Sequence, residues 1–110
     1  MPESKALSML GLARRAGKLS MGHDMALQSV AKKKAKMIVF TSDSSKRLVK
    51  EFEVFTKKHN PDIPVYIIKP TIDEIHFSLG YRAGVMTVDD DNFCKRIISL
   101  LTQEEMIYGN

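Results

Sequence analysis

The chain has 110 residues, enough for one compact domain and too few for two. At 44% hydrophobic and 27% charged it is globular rather than disordered, and it holds no apolar run near the roughly 20 residues of a membrane helix. The net charge of +4 is unevenly divided: residues 1–50 hold eleven Lys/Arg against three Asp/Glu, and residues 51–110 hold six against ten, which suits a one-sided polyanion surface.

Residues 4–16 place Ala6, Leu7, Leu10 and Ala13 at helical spacing, with Gly17 as the stop. Leu19 to Met21 has room only for a very short strand. Gly22 to Lys34 reads as a second helix with Ala26, Val30 and Leu27 inward, and Asp24 in its first turn suits the helix dipole. Met37 to Thr41 is a continuous apolar run, the pattern of a strand buried on both faces. Ser42 or Asp43 is the expected cap of a third helix, whose stripe is Leu48, Phe52 and Phe55 and whose stop is Asn60-Pro61.

Val65 to Ile68 is a further apolar strand. Thr71-x-x-Glu74 fits a capping box opening a short helix, with Ile72, Ile75 and Leu79 inward and Gly80 at its end. Gly84 to Val88 is the last strand. Asp89 or Asp90 caps a final helix that turns Phe93, Ile97, Leu100 and Leu101 to the core. The order is α, short β, α, β, α, β, α, β, α. Helices then cover both faces of one sheet, which predicts an α/β fold: a single domain over residues 1–110, a three-layer α/β/α sandwich on a mixed sheet of about four strands.

The stretch Gly11–Phe40 organises this plan. Gly22 has no side chain to hold a ligand away from the backbone, and the helix start after it leaves N–H groups pointing outward. Arg14, Arg15 and Lys18 precede that turn, and Lys32, Lys33, Lys34 and Lys36 follow it. A helix N-terminus with cations on both sides in sequence is a phosphate-facing surface.

LGLARRAGKL at Leu10–Leu19, the glycine two residues after Ser20, and KAKMIVFTSDSS at Lys34–Ser45 together resemble the small ribosomal proteins that bind kink-turn RNA. This is the seven-Ae / thirty-e / gadd-forty-five-like superfamily, and the opening motif is closest to its bacterial YlxQ-type branch. The resemblance covers nearly the whole chain and implies the same three-layer fold. It also implies a non-enzymatic RNA-binding protein, ribosomal or ribosome-associated, with kink-turn or other structured RNA as partner.

The family's first RNA segment is Gly-x-Asn-Glu-x-x-Lys, followed by a basic residue. Here the positions are Gly22, Asp24, Met25, Gln28 and Lys32, so only the glycine and Lys32 are kept in kind. The second segment is the loop after the third strand. There the family's Leu-Gly pair falls on Ile75-His76. The resemblance thus implies RNA contacts from Lys18, Gly22, His23, Asp24, Met25, Gln28 and Lys32, and from Lys69, Thr71 and Ile72 of that loop. The departures at Asp24, Met25, Gln28 and His76 motivate an alternative: a protein-interaction module on the same scaffold, with Met21, Met25 and Leu27 in an adaptable contact patch.

No catalytic constellation or phosphate-binding motif occurs. His23, His59 and His76 share no ligand spacing with each other or with Cys94, so no metal or cofactor is expected. The single Cys94 excludes an internal disulfide and reads as a buried thiol in a reducing compartment. MPESKALSML lacks the plan of a signal peptide, and the expected location is cytoplasmic.

Overall fold

A computed structural model describes residues 4–108. The elements are α1 (Lys5–Arg15), β1 (Leu19–Met21), α2 (His23–Ala31), β2 (Met37–Phe40), α3 (Lys46–His59), β3 (Val65–Ile67), α4 (Ile72–Leu79), β4 (Val85–Val88) and α5 (Asp91–Gln103). The sheet order is β1-β4-β2-β3. β4 runs antiparallel to both of its neighbours, and β2 and β3 are parallel. The sheet is therefore mixed, and its last strand in sequence lies near its centre.

Every residue of β2 and β4 is buried, because helices cover both faces. Side chains alternate along β2. Met37 and Val39 join Leu10, Ile75, Met86, Ile97 and Leu101 on the face covered by α1, α4 and α5. Ile38 and Phe40 join Ala26, Val30, Phe52 and Val85 on the face covered by α2 and α3. Phe40 and Phe52 meet edge to face, with centroids 5.7 Å apart.

Four differences from the sequence expectation have local causes. α2 ends at Ala31 rather than Lys34, because Lys33 turns to φ 59° and the Lys34 N–H closes onto the Ser29 carbonyl at 2.9 Å. α3 is capped by Ser45, whose hydroxyl accepts from the Leu48 N–H. Asp43 serves a different helix: its carboxylate accepts from the Ile72 N–H at the start of α4, at 3.0 Å. β3 stops at Ile67 and is an edge strand with Val65 and Ile67 exposed. Ile68 instead bridges to Ile107, which lays the segment after α5 along that edge. The capping box at Thr71 and Glu74 and the left-handed Gly80 are as expected.

Glu104 ties the two ends of the described chain together. Its carboxylate accepts from the Lys5 N–H at 2.8 Å, the Ala6 N–H at 3.1 Å and the Ser4 hydroxyl at 2.7 Å. Partial burial pushes this carboxyl up, but the hydrogen bonds from Ser4, Lys5 and Ala6 outweigh it and hold the group below the usual glutamate value. Cys94 is buried, and desolvation pushes its thiol above the usual value, which disfavours the thiolate.

Candidate nucleic-acid interface

Four of the five helices start under a side-chain cap, from Ser4, Ser45, Thr71 and Asp90. α2 starts at Gly22, which has none to offer. Gly22 sits at φ 92°, ψ 167°, a backbone region open in practice to glycine alone. Its own N–H is used, donating to the Val85 carbonyl at 2.9 Å. Among the described residues the N–H groups of His23, Asp24 and Met25 meet no protein acceptor. They form an exposed row of donors at the positive end of the helix dipole.

His23 is clasped beside this row. Its Nδ1 lies 2.8 Å from Asp24 Oδ1, its Nε2 lies 2.7 Å from Glu51 Oε2, and its ring meets Phe52 edge-on. The hydrogen bonds to Asp24 and then Glu51 raise its pKa above 6.5 against a small desolvation effect. The sign follows from linkage. The clasp's contribution to stability is fully present below about 6.5 and is lost as the pH rises through the raised folded value. Glu51→Gln should therefore lower the midpoint of the His23 ring titration followed by NMR, and an unchanged midpoint would show that the Glu51 contact is not made. Asp24 has one oxygen committed to this clasp, so it is less free to read a base than its position alone implies.

The second expected segment reaches the same end of the sheet. Gly22 bonds Val85, and the adjacent Gly84 lies against Ile72: a Cβ there would be 3.4 Å from Ile72 Cδ1. Lys69 is exposed, while Thr71 and Ile72 are half-buried. The Thr71 hydroxyl is already engaged with Glu74, and the Ile72 N–H with Asp43. What remains for a ligand in this loop is the Lys69 ammonium and the Ile72 side chain. Ile75 is buried and holds α4 to the core, whereas His76 is exposed. Thr41 Oγ1, at the end of β2, is buried without a partner.

Tyr81 was not singled out in the sequence, yet its hydroxyl lies 3.7 Å from where a Cβ on Gly22 would be. Arg14 stands over the Tyr81 ring at 5.8 Å and donates to the Leu79 carbonyl at 2.8 Å. Tyr81 follows Gly80 in an aperiodic loop, 59 positions from Gly22, and no local pattern marks it. Met25, 54% exposed, and Gln28 complete the outward face of α2. Met21 is buried on the α1 side of the sheet, so it cannot share a surface patch with Met25, and Leu27 is half-buried.

The lysines, unlike Arg14, are not where their sequence positions suggest. β1 runs away from Lys18 toward Gly22, and α2 runs back again. The Asp89 N–H donates to the Lys18 carbonyl, and the Lys36 N–H donates to the Val88 carbonyl. Lys18 and Lys32–Lys36 therefore gather at the far end of α2, nine residues or about 13 Å from Gly22. A strand–helix reversal puts residues on both sequence flanks of its turn at the opposite end of the unit. Gly22, His23, Asp24 and Met25 lie at the same end of the sheet as Lys69, Thr71 and Ile72, with Gly84 and Val85 between them. Lys18 and Lys32 form a separate group.

A small three-layer domain with an uncapped helix start against the Tyr81 loop, and the Lys69–Ile72 loop at the same sheet end, is the result. Residues 4–74 match the ribosomal protein L7Ae/L30e/S12e/Gadd45 family, and the chain belongs to that family. Within it, the likeness is to the bacterial YlxQ-type branch. The chain is 31% identical over 94 residues to the RNA-binding protein YlxQ of Bacillus subtilis (strain 168), covering 84% of this chain and 91% of that one. It is 29% identical over 102 residues to the RNA-binding protein YlxQ of Enterococcus faecium, covering 88% and 91%. A solved Bacillus halodurans protein of unknown function superposes with a TM-score of 0.79 at 25% identity, over 91% of this chain and 99% of that one. The Giardia lamblia 15.5kD RNA binding protein shares the fold, with a TM-score of 0.67 at 14% identity, over 90% of this chain and 83% of that one.

Proposed function

We propose that this chain is a non-enzymatic protein that binds structured RNA, with kink-turn RNA as the ligand and ribosomal RNA or the ribosome as its setting. The observation that carries the reading is the uncapped start of α2 at Gly22, at the same end of the sheet as the Lys69–Ile72 loop and joined to it through Val85 and Gly84. The free N–H groups of His23, Asp24 and Met25 suit phosphate or base-edge acceptors, Met25 and Ile72 supply apolar contacts to bases, and Lys69 adds charge. The names of the Bacillus and Enterococcus relatives support RNA as the class of ligand.

The test is a titration with a kink-turn RNA and with a matched duplex lacking the kink, at low and moderate salt. A preference for the kinked RNA of tenfold or more, about 1.4 kcal/mol, is expected. Equal and steeply salt-dependent binding to both would replace motif recognition by a general cationic surface. Binding to neither would overturn the reading in favour of a protein-interaction module.

A further inference from the structure

The end of α2 opposite Gly22 carries an arrangement that the fold alone does not require. Lys33 is in the left-handed region at φ 59°. Its N–H donates to the Val30 carbonyl at 3.0 Å and the Lys34 N–H to the Ser29 carbonyl at 2.9 Å, the paired bonds that close a helix end around a left-handed residue. α1 closes in the same way around Gly17, at φ 73°, with the Lys18 N–H bonded to the Ala13 carbonyl. Glycine takes that conformation without penalty, and lysine does not.

Lys33 also sits at the centre of a group. Lys32 and Lys34 flank it, and all three are exposed. Lys18 and Lys36 are fastened to the same strand end through Asp89 and Val88. None of the five ammonium groups makes an ion pair among the described residues. The acids that follow β4 at this strand end are Asp89, Asp90 and Asp91. Asp89 is half-buried under three hydroxyl donors, and Asp90 caps α5. Lys18, Lys32, Lys33 and Lys34 are exposed and Lys36 is half-buried, which leaves net positive charge at this end.

We propose that Lys18, Lys32, Lys33, Lys34 and Lys36 form a second RNA contact, separate from the Gly22 end, that grips the phosphate backbone of a duplex stem. The inference rests on the RNA-binding reading and adds to it a division of labour. The Gly22 end sets which RNA is preferred, and the lysine end supplies sequence-independent, salt-sensitive affinity. The two ends are about 13 Å apart along α2, so a bound RNA extends from the motif into a helical arm at least that long.

Lys33→Gly tests this with two readouts of opposite sign. Melting temperature should hold or rise by about 3 °C, because glycine is at ease in the left-handed position. Affinity for a kink-turn RNA with a long stem should fall about fivefold at 0.1 M salt, and the slope of log K against log salt should lessen by about one. Glu105 ends α5 in the same conformation, at φ 53°, with the Met106 N–H bonded to the Leu101 carbonyl. Glu105→Gly is the matched control: a similar gain in stability with no loss of affinity. If Lys33→Gly binds with unchanged affinity and salt slope while the wild type prefers the kinked RNA, the second contact is overturned and the Gly22 site stands. If the wild type binds no RNA, both fall.

Discussion

Asp89→Ala should destabilise the chain by about 3 kcal/mol, among the largest losses available from a polar residue in this fold. The carboxylate accepts from the Ser20 hydroxyl at 2.5 Å, the Ser29 hydroxyl at 2.6 Å and the Thr87 hydroxyl at 2.8 Å. Those donors come from β1, α2 and β4, so one side chain pins the edge strand, the helix and the central strand together. Thr87 is fully buried and Ser29 is 5% exposed. Without Asp89, hydroxyls with little access to water lose their acceptor, at about 1–3 kcal/mol for a group left unsatisfied. The three bonds share one acceptor, so their losses do not simply add. Urea unfolding measures the effect. A loss under 1 kcal/mol would mean that the hydroxyls find other acceptors and that the pin is not essential.

Gly22→Ala has the second large effect, and it bears on function. The nearest atoms to an added Cβ are those of the Tyr81 side chain, at 3.7 and 3.8 Å, which is ordinary contact. The penalty is therefore conformational rather than steric: alanine at φ 92°, ψ 167° costs about 1–3 kcal/mol. Relief requires the α2 start to rotate, which re-aims the N–H groups of His23, Asp24 and Met25. The added methyl also holds a ligand away from the backbone. At a temperature where the variant is folded, its affinity for a kink-turn RNA should fall tenfold or more. A lower melting temperature with undiminished affinity would remove Gly22 from the RNA surface and leave it a turn residue only.

The element order, the layers and the buried character of β2 and β4 were legible because each rests on local signals: a 3.6-residue stripe, an apolar run, a cap or a glycine stop. The capping box at Thr71 was readable for the same reason. Strand order was not, since β4 takes the centre of the sheet only through long-range pairing. Asp43 looked like a cap for the helix that follows it, yet caps one that begins 29 residues later. Of the candidate site, the Gly22 turn and Arg14 before it were read from the chain itself, and the Lys69–Ile72 loop came through the family resemblance. Tyr81 and Glu51 reach that end by tertiary folding. The lysines appeared to ring Gly22 because sequence proximity was taken for spatial proximity across a reversing β1–α2 unit.

The most direct measurement is a map of backbone amide shifts by NMR as kink-turn RNA is added to the labelled protein. The account predicts the largest changes at His23, Asp24 and Met25, with Lys69, Thr71 and Ile72 moving alongside them and Lys32–Lys36 following only when the RNA carries a long stem. Shifts centred on the outer face of α3 and the β3 edge, with His23–Met25 unmoved, would contradict it.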